Sequence, residues 1–465
     1  MEYLAVSFLV DSGVTNVVWV SVVGWALADW LKPNWKPTPG LIRVWLTVMT
    51  IGVGFDVALS LYRSYIIPRD VLQDLVSGQE FLAGRTMYPA GMNARMRAAM
   101  EREGPRASLL SPWPALVERE RRQAELALNE HWVQAHTPFA SLFVVPLLWL
   151  GDGILGAQIL FTSLSLAAFA GALVLLCKEF FPTASNWRLA LLALGALGWD
   201  ATVVNLRTQN WTMLLEALVV GSWFLMTRGV PSGTGILVGL ATNLKLVPGL
   251  LFLPFLLSHR RAAAWAVGST FVVALATLWI ASADEFRAFV ETARDVVTEY
   301  AGFPTNISLL GVIVRCGGFT TDRLDVARLI WFVVGASIAV GFALTLLSVH
   351  RRGADLRKVI DAEFALASTL MPILSPIAWA DYLLFAMLPL TLFLKQPPQS
   401  RGRFFVVLLI LTTPCRTLKF VHSLVGDDFF NWCVAPLPCV GLAILAQFFW
   451  RRLFSTPGGE TAKRC

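Results

Sequence analysis

Two aspartates one helical turn apart have the clearest potential for chemistry in this sequence. Asp70 and Asp74 lie in the stretch RDVLQDLVSGQEFLAGRTMYP. Between Pro68 and Gly84 the apolar residues recur at helical spacing, which predicts an amphipathic helix with both aspartates on one face. A carboxylate in this position can take a proton from an incoming hydroxyl group, as a general base does. The alternative is that Asp70 only caps the helix and that Asp74 is solvated.

Two basic residues lie within or beside apolar blocks. Lys245 occurs in ATNLKLVPGLLFLPFLL and Arg207 in VVNLRTQNW. A charge at membrane depth is costly and favours a functional role. Lysine pairs with a phosphate as a point charge, whereas arginine can donate two parallel hydrogen bonds. Both are therefore candidate phosphate ligands, with snorkelling of Lys245 to the membrane interface as the alternative.

A third candidate region is an apolar run that two prolines interrupt. In MPILSPIAWADYLLFAMLPL, Pro372 and Pro376 precede Trp379 and Asp381. Proline breaks leave backbone groups that need partners, and they are tolerated where they line a cavity. The indole could stack on a sugar while the carboxylate accepts hydrogen bonds from its hydroxyl groups. A proline kink with an interfacial aromatic anchor explains the pattern equally well.

The composition is that of a helical integral membrane protein. Of 465 residues 56% are hydrophobic and 15% charged, with a mean hydropathy of +0.63. Apolar blocks of roughly 15–24 residues have the length of membrane-spanning helices, and they lack the alternation of barrel strands. The candidate spans are about 6–29, 42–62, 154–177, 188–204, 212–227, 233–246, 249–258, 262–281, 326–349, 362–374, 383–394, 403–421 and 433–450.

These blocks predict an all-α polytopic protein whose residues 1–465 form a single membrane domain of about 11–13 spanning helices. Lysines and arginines recur in every second loop, which assigns those loops to the cytoplasm and makes 138–150 a short helix that dips in and returns. The net charge of +7 then reports orientation rather than nucleic-acid binding. Two long segments, 63–136 with amphipathic helices and 282–325, fall on the non-cytoplasmic side.

The unusual polar residues all fall on that same non-cytoplasmic side. They come from six separate stretches of chain, so we expect them to form one site. They are Asp70, Asp74, His136, Arg207, Gln209, Asn210, Lys245, Asn306, Arg315, Trp379 and Asp381. The scattered cysteines and histidines indicate neither disulfides nor a metal site, so no metal and no cofactor are expected.

Six short motifs occur in a fixed order over about residues 65–390. They are Asp70 with Gly84-x-x-x-Tyr88-Pro89, His136-Thr137-Pro138, Thr208-Gln209-Asn210, Lys245-x-x-Pro248, Asn306-x-Ser308-Leu309, and Ser375-Pro376-Ile377-x-Trp379. This series resembles the polyprenol-phosphate-mannose-dependent mannosyltransferases, glycosyltransferase family 87 of the GT-C class. The chain departs from the family where Thr208 replaces a glycine, and where Asp381 and Tyr382 replace histidines.

The resemblance implies a GT-C bundle that transfers a hexose, mannose by default, from a polyprenyl-phosphate donor to a lipid or glycan hydroxyl group with inversion. Asp70 would be the general base, with Asp74 second, and Lys245 and Arg207 would bind the donor phosphate. The sugar- and acceptor-binding candidates are Tyr88, His136, Gln209, Asn210, Asn306, Trp379 and Asp381.

This chemistry suits the residues that the sequence offers. The leaving polyprenyl phosphate is already anionic, so a nearby cation is needed more than an acid that protonates the leaving group. One carboxylate is then sufficient, unlike the pair used in glycoside hydrolysis. The implied place is a bacterial inner (plasma) membrane, with the site on the periplasmic or extracellular side and with membrane lipids around it. The implied role is cell-envelope glycolipid synthesis.

Two other function classes are compatible with a polytopic membrane protein. A transporter or flippase of lipid-linked sugars or small molecules would be expected to show internal repeats and broken helices that meet at the membrane midplane. The sequence shows no clear repeat, and its polar residues gather at one face. A non-catalytic scaffold would leave the helix with Asp70 unexplained.

Overall fold

The computed structural model describes most of the chain. The described residues are 38–66, 70–89, 91–102, 136–182, 184–303, 305–320, 323–352, 356–394, 407, 410–411 and 434–455. Over these residues all regular elements are α-helices or 3-10 helices. The predicted all-α polytopic membrane fold is confirmed.

Seventeen α-helices are described and are numbered here in chain order. The helices α1 to α9 are Pro39–Ile66, Asp70–Leu82, Met92–Arg102, Pro138–Leu150, Ile154–Phe180, Asn186–Leu197, Asp200–Thr208, Thr212–Thr227 and Pro231–Leu244. The helices α10 to α17 are Phe252–Ser258, Arg260–Ala281, Ala283–Tyr300, Leu309–Cys316, Leu324–Arg351, Leu356–Leu374, Met387–Leu394 and Leu437–Ser455. Two 3-10 segments, Val247–Leu251 and Ala380–Ala386, precede α10 and α16.

Five helical stretches of the described chain are long and apolar enough to cross a bilayer. They are the stretch that begins with α1 (Pro39–Ile66), then Ile154–Phe180, Arg260–Ala281, Leu324–Arg351 and Leu437–Phe454. Shorter apolar helices of 10–17 residues lie among them, including α4 at the position of the short helix predicted over 138–150. The predicted span 6–29, the predicted span 403–421 apart from 407, 410 and 411, and the charged part of the first loop over 103–135 lie outside the described residues.

The predicted span 188–204 is broken into two helices. α6 and α7 are bent by 50° relative to each other, and together they would make a sixth span. The break has a local cause, because Gly198 caps α6 and Trp199 adopts an extended backbone. The indole of Trp199 donates a hydrogen bond to the carbonyl of Leu411, 3.2 Å away, which holds the bend.

The helix predicted from the spacing around Asp70 is α2, and it packs inside the protein. Its apolar stripe is buried except for Leu82, which is 46% exposed. Its polar face is buried as well, since Asp74 and Ser77 have no exposed surface. The helix ends at a left-handed Gly84, where backbone bonds from Gly84 and Arg85 return to the last turn in a Schellman motif. This reversal directs the following residues back along the helix.

A cluster of charged residues lies at the end of the bundle that holds the end of α5 and the end of α8. Glu179, at the end of α5, pairs with Arg228 after α8 and with Arg357 in α15. His259 pairs with Glu363 at 2.7 Å, between α10 and α15. The opposite end of α8 follows Gln209 and Asn210, two of the polar residues that the sequence singles out. This charged cluster and the candidate site therefore lie at opposite ends of α8.

Gly78→Val is expected to destabilise the fold because a side chain at this position meets α4. A Cβ at Gly78 would lie 3.3 Å from Leu148 Cδ1, from Ser141 O and from Val145 Cγ2. Overpacking of this kind costs typically about 1–3 kcal/mol. Thermal unfolding in detergent should give a lower midpoint for Gly78→Val than for Gly54→Val, a matched control in α1 with open space around it. Equal midpoints would contradict the close packing of α2 on α4.

Candidate active site

Three consecutive residues between α7 and α8 each donate a side-chain hydrogen bond to a different carboxylate. The donor and acceptor pairs are Asn210 with Asp70 (2.5 Å), Trp211 with Asp74 (2.8 Å) and Thr212 with Asp381 (2.6 Å). The three acceptors come from α2 and from the 3-10 segment before α16. One short turn thus gathers the carboxylates of two distant parts of the chain.

The turn depends on the unusual backbone of Gln209. This residue is left-handed, with φ of 51° and ψ of 43°, a conformation that few residues other than glycine adopt. Its side chain is buried and held at both ends: Oε1 accepts from Gln158 Nε2 and Nε2 donates to Thr162 Oγ1, each at 3.0 Å. The amide therefore anchors the turn to α5, and its hydrogen bonds are used within the protein.

Asp74 is the most enclosed of the three carboxylates. It has no exposed surface, and its Oδ2 interacts with both Trp211 Nε1 and His136 Nδ1 at 2.8 Å. The Trp211 ring is packed edge-on against Phe143 and Phe161, with centroids 5.5 and 4.9 Å away. A buried carboxylate needs such donors, because an unpaired charge would be very costly there. Asp74 therefore fixes the relative positions of α2, α4 and α8.

His136 and Tyr88 extend this network toward the first loop. His136 directly precedes α4, where Thr137 caps the helix and Pro138 occupies its first position. The Tyr88 hydroxyl donates to the carbonyl of His136 at 2.6 Å. Burial raises the pKa of Tyr88, and the negative charge of Asp74 raises it further, so the phenol remains a hydrogen-bond donor.

Asp70 is the most accessible of the three carboxylates. It begins α2 and is half-buried, whereas Asp74 and Asp381 are 0% and 1% exposed. Its Oδ2 accepts the hydrogen bond from Asn210. Asp70 therefore combines a fixed position with an opening for a second molecule.

Lys245 joins the network from the end of α9. Its Nζ donates to Asn210 Oδ1 at 2.9 Å and lies 4.6 Å from the centroid of the Tyr382 ring. The amide of Asn210 is thus held between the carboxylate of Asp70 and the ammonium group of Lys245. The charge of Lys245 also interacts with the nearby carboxylate of Asp381. A cation and an accessible carboxylate therefore share one contact residue.

Asn306 joins two loops at the edge of this network. Its Oδ1 accepts from the backbone N–H of Ala378 at 3.1 Å, and its Nδ2 donates to the carbonyl of Ala301 at 3.1 Å. The side chain is fully buried, so it shapes the loop and does not face an open space. The half-buried Trp379, one residue beyond Ala378, contacts Tyr300 edge-on. The loop geometry that presents Trp379 thus depends on Asn306.

The two candidate arginines lie outside the carboxylate network. No contact within the described residues joins Arg207 to the three carboxylates, and its buried Nε has no hydrogen-bond partner there. Arg315 donates from Nη1 to the carbonyls of Phe303 and Asn306 at 2.6 and 2.9 Å. Burial lowers the pKa of Arg315 to about 10. Its described contacts are those of a loop-stabilising residue.

The structure brings most of the candidates from the sequence into one network. The connected residues are Asp70, Asp74, Tyr88, His136, Asn210, Lys245 and Asp381. Sequence reasoning missed Trp211, Thr212 and Gln158. Trp211 carries a usable signal, because an indole N–H in an apolar stretch needs an acceptor when it is buried. The assembled groups can accept a proton at Asp70 and neutralise an anion at Lys245.

Trp211→Phe is expected to destabilise the protein more than Trp199→Phe does. The first change removes a donor from the buried Asp74 carboxylate, and the second removes a donor from a backbone carbonyl. Hydrogen bonds to charged groups contribute about 1.5–3 kcal/mol, against about 0.5–1.5 kcal/mol for neutral pairs. Thermal unfolding in detergent measures the difference. A smaller effect at Trp211 than at Trp199 would show that Asp74 does not depend on this donor.

Comparisons with known proteins show the family of the chain. The model of glycosyltransferase family 87 matches residues 135–376, more than half of the chain. A polyprenol-phosphate-mannose-dependent alpha-(1-2)-phosphatidylinositol mannoside mannosyltransferase of Mycolicibacterium smegmatis is 25% identical over 341 residues, which is 66% of this chain and 75% of the relative. No solved structure matches the chain significantly. The chain therefore belongs to glycosyltransferase family 87 and is a membrane glycosyltransferase.

Proposed function

We propose that the protein transfers mannose from a polyprenyl-phosphate donor to a hydroxyl group of a lipid or glycan acceptor, with inversion at the anomeric carbon. The observation that carries the proposal is the accessible carboxylate of Asp70, joined to the ammonium group of Lys245 through the Asn210 amide. The printed name of the mycobacterial relative supports the donor class and the sugar. The acceptor is a lipid or glycan, as that name also suggests.

Asp70 acts as the general base in this proposal. The acceptor hydroxyl group must reach the carboxylate, and Asp74 is fully buried with one oxygen engaged by two side chains. Asp70 is half-buried and lies at the first position of α2. Proton removal by a positioned carboxylate makes the hydroxyl oxygen a better nucleophile as it attacks the anomeric carbon. Asp74 is the second candidate, and its contacts support a positioning role.

Lys245 neutralises the leaving phosphate. When the glycosidic bond breaks, both electrons go to the phosphate oxygen, and negative charge grows on a group that is already anionic. A cation fixed near this oxygen stabilises the transition state more than the ground state. Lys245 is held by Asn210 and lies over the Tyr382 ring, so its position is set before the substrate arrives. Arg207 is the second candidate for the phosphate.

The remaining candidates divide into direct and indirect roles. Trp379 is half-buried and offers an aromatic face for sugar stacking, while Asp381 lies beside Lys245 and is held by Thr212. Tyr88, His136 and Asn210 border the carboxylates, and we propose that they contribute to binding of the sugar or the acceptor. Gln209 and Asn306 support binding indirectly, because their amides are bonded within the protein.

The site is proposed to face the non-cytoplasmic side of a bacterial plasma membrane. It lies at the end of the bundle opposite to Arg228, Arg357 and their partner Glu179. Basic residues in short loops favour the cytoplasmic side, which leaves the carboxylate network on the other side. A lipid-linked donor and a lipid-anchored acceptor would both reach the site along the membrane surface.

Asp70→Asn is expected to lower kcat by about 10²–10⁴-fold, the range for loss of a general base. The new asparagine side chain has the shape of the carboxylate and still lies against Asn210, but it cannot accept the proton. The measurement is transfer of radiolabelled mannose from polyprenyl-phosphate-mannose to a membrane lipid extract, with protein in nanodiscs. The matched control is Asp284→Asn, an 86% exposed side chain paired with Arg287. Full activity of Asp70→Asn together with loss in Asp74→Asn would move the base to Asp74.

The same assay separates the enzyme from a transporter. Transport of the intact donor across reconstituted membranes, without transfer or hydrolysis of its sugar, would contradict the proposed reaction.

Lys245→Met is expected to lower kcat by about 10²–10³-fold, the range for loss of one group that stabilises transition-state charge. Lys245→Arg should retain more activity, because it restores the positive charge. Lys178→Met is the matched control, since Lys178 is exposed in the last turn of α5 at the other end of the bundle. Equal activity of Lys245→Met and the control would exclude Lys245 as the phosphate partner.

A further inference from the structure

A wide, open apolar cleft of about 570 Å³ lies between α12 and α14 and is bordered by Pro376, in the loop that leads to Trp379. Val297 on α12, Leu310 on α13 and Phe332 on α14 form parts of its wall. This volume lies within the range of about 300–1,000 Å³ that is usual for small-molecule sites. The lining is almost entirely hydrocarbon, so the cleft suits an apolar ligand.

The cleft is open toward the lipid-facing side of α14. Leu329 and Phe332 line it, yet they are 62% and 64% exposed in the isolated chain. Both belong to Leu324–Arg351, a helix long and apolar enough to span the membrane. A side chain exposed on such a helix contacts lipid. A ligand can therefore enter this cleft directly from the bilayer.

Polar groups are confined to one part of the cleft. Arg294 is exposed on α12, and Arg328 in the first turns of α14 is held by Asp325 at 3.1 Å and by Thr298. The buried Nε1 of Trp331 has no hydrogen-bond partner among the described residues. Two guanidinium groups beside an apolar wall favour a lipid with an anionic headgroup, while the donor phosphate itself is assigned to Lys245.

The cleft is continuous with the loop that presents Trp379. Pro376 lines the cleft, and its carbonyl accepts from Ser308 Oγ at 3.1 Å and from Asn306 Nδ2 at 3.3 Å. Trp379 follows three residues later and Asp381 five residues later. A ligand in the cleft thus lies one short loop away from the carboxylate network.

The geometry points to this cleft as the binding site for the polyprenyl tail of the sugar donor. The inference rests on the proposed function, because it names where the donor of that reaction is held. In the donor, the reacting carbon, the phosphate and the tail are joined in immediate succession. In a glycolipid acceptor, the reacting hydroxyl is separated from the lipid tails by a headgroup. A tail site one loop from the catalytic groups therefore fits the donor.

Ala293→Phe and Leu329→Trp test the inference by filling the cleft from its two sides. Ala293 is a half-buried residue of α12, so an added ring occupies the cleft. Val333→Trp is the matched control, because Val333 lies on α14, is 53% exposed and does not line the cleft. Detergent melting curves verify that all three variants are folded. Ala293→Phe and Leu329→Trp, called the fillers, are both tested because one added ring could turn away from the cleft.

Binding of undecaprenyl phosphate is measured first, by native mass spectrometry, because it requires no turnover. Both fillers are expected to weaken it about tenfold, as loss of one or two buried methylene contacts would. The Val333→Trp control should bind as the wild type does. The same measurement is made with phosphatidic acid, a lipid that has a comparable headgroup charge but acyl tails in place of the polyprenyl tail. Unchanged binding in both fillers, or equal weakening for phosphatidic acid, would overturn the assignment.

Transfer kinetics then distinguish this inference from the proposed function. With undecaprenyl- and geranyl-phosphate-mannose as donors, the ratio of long-chain KM to short-chain KM should rise about tenfold in both fillers. A rise in KM for the acceptor instead would assign the cleft to the acceptor and overturn the inference. Binding that depends on the cleft without any sugar transfer would support the cleft while contradicting the proposed reaction. Sugar transfer whose kinetics are unchanged in both cleft-filling variants would support the proposed reaction and contradict the assignment of the cleft.

Discussion

The cost of burying carboxylates is the constraint that organises this end of the molecule. A carboxylate removed from water without partners is strongly destabilising, and here Asp74 and Asp381 are almost completely enclosed. Their donors are neighbours in sequence, Trp211 and Thr212, which begin α8. Because the donors share one turn, neither can move without moving the other. The position of α2 relative to the 380–386 segment is thus fixed through a stretch of three residues.

Contacts elsewhere in the fold hold this turn and the helices around it in place. Gln209 anchors it to α5, and the break between α6 and α7 lets the chain approach it at an angle. Gly78 allows α2 to come close to α4, which carries His136 at its start. A site made from helix ends needs such rigid supports, because small displacements of reacting groups lower rates greatly. The candidate catalytic residues therefore lie where helices begin and end, and the helix interiors hold them in place.

The sequence was sufficient to predict the class of fold and many residues of the site, but not how these residues contact one another. Helical spacing predicted α2 with Asp70 and Asp74, and the isolated charge predicted Lys245. Burial of the polar face of α2 was not predictable, because it depends on α4 and α5, which are distant in the sequence. Asn306 has the residue type of a sugar ligand, yet its amide closes a loop onto Ala378. Which partner a polar side chain takes is decided by tertiary packing, which no local pattern contains.

The Asn210 amide has one further consequence, because it is a dipole with two distinct ends. Its oxygen faces the ammonium group of Lys245 and its nitrogen faces the carboxylate of Asp70, so only one orientation satisfies both charges. A change of charge at either end alters how strongly the amide is held at the other. By thermodynamic linkage the effect is reciprocal: protonation of Asp70 changes anion affinity at Lys245 by the same factor as anion binding changes proton affinity at Asp70. In the proposed reaction, the acceptor hydroxyl loses a proton to Asp70 and the donor loses an anion beside Lys245, and a single side chain would couple these two steps.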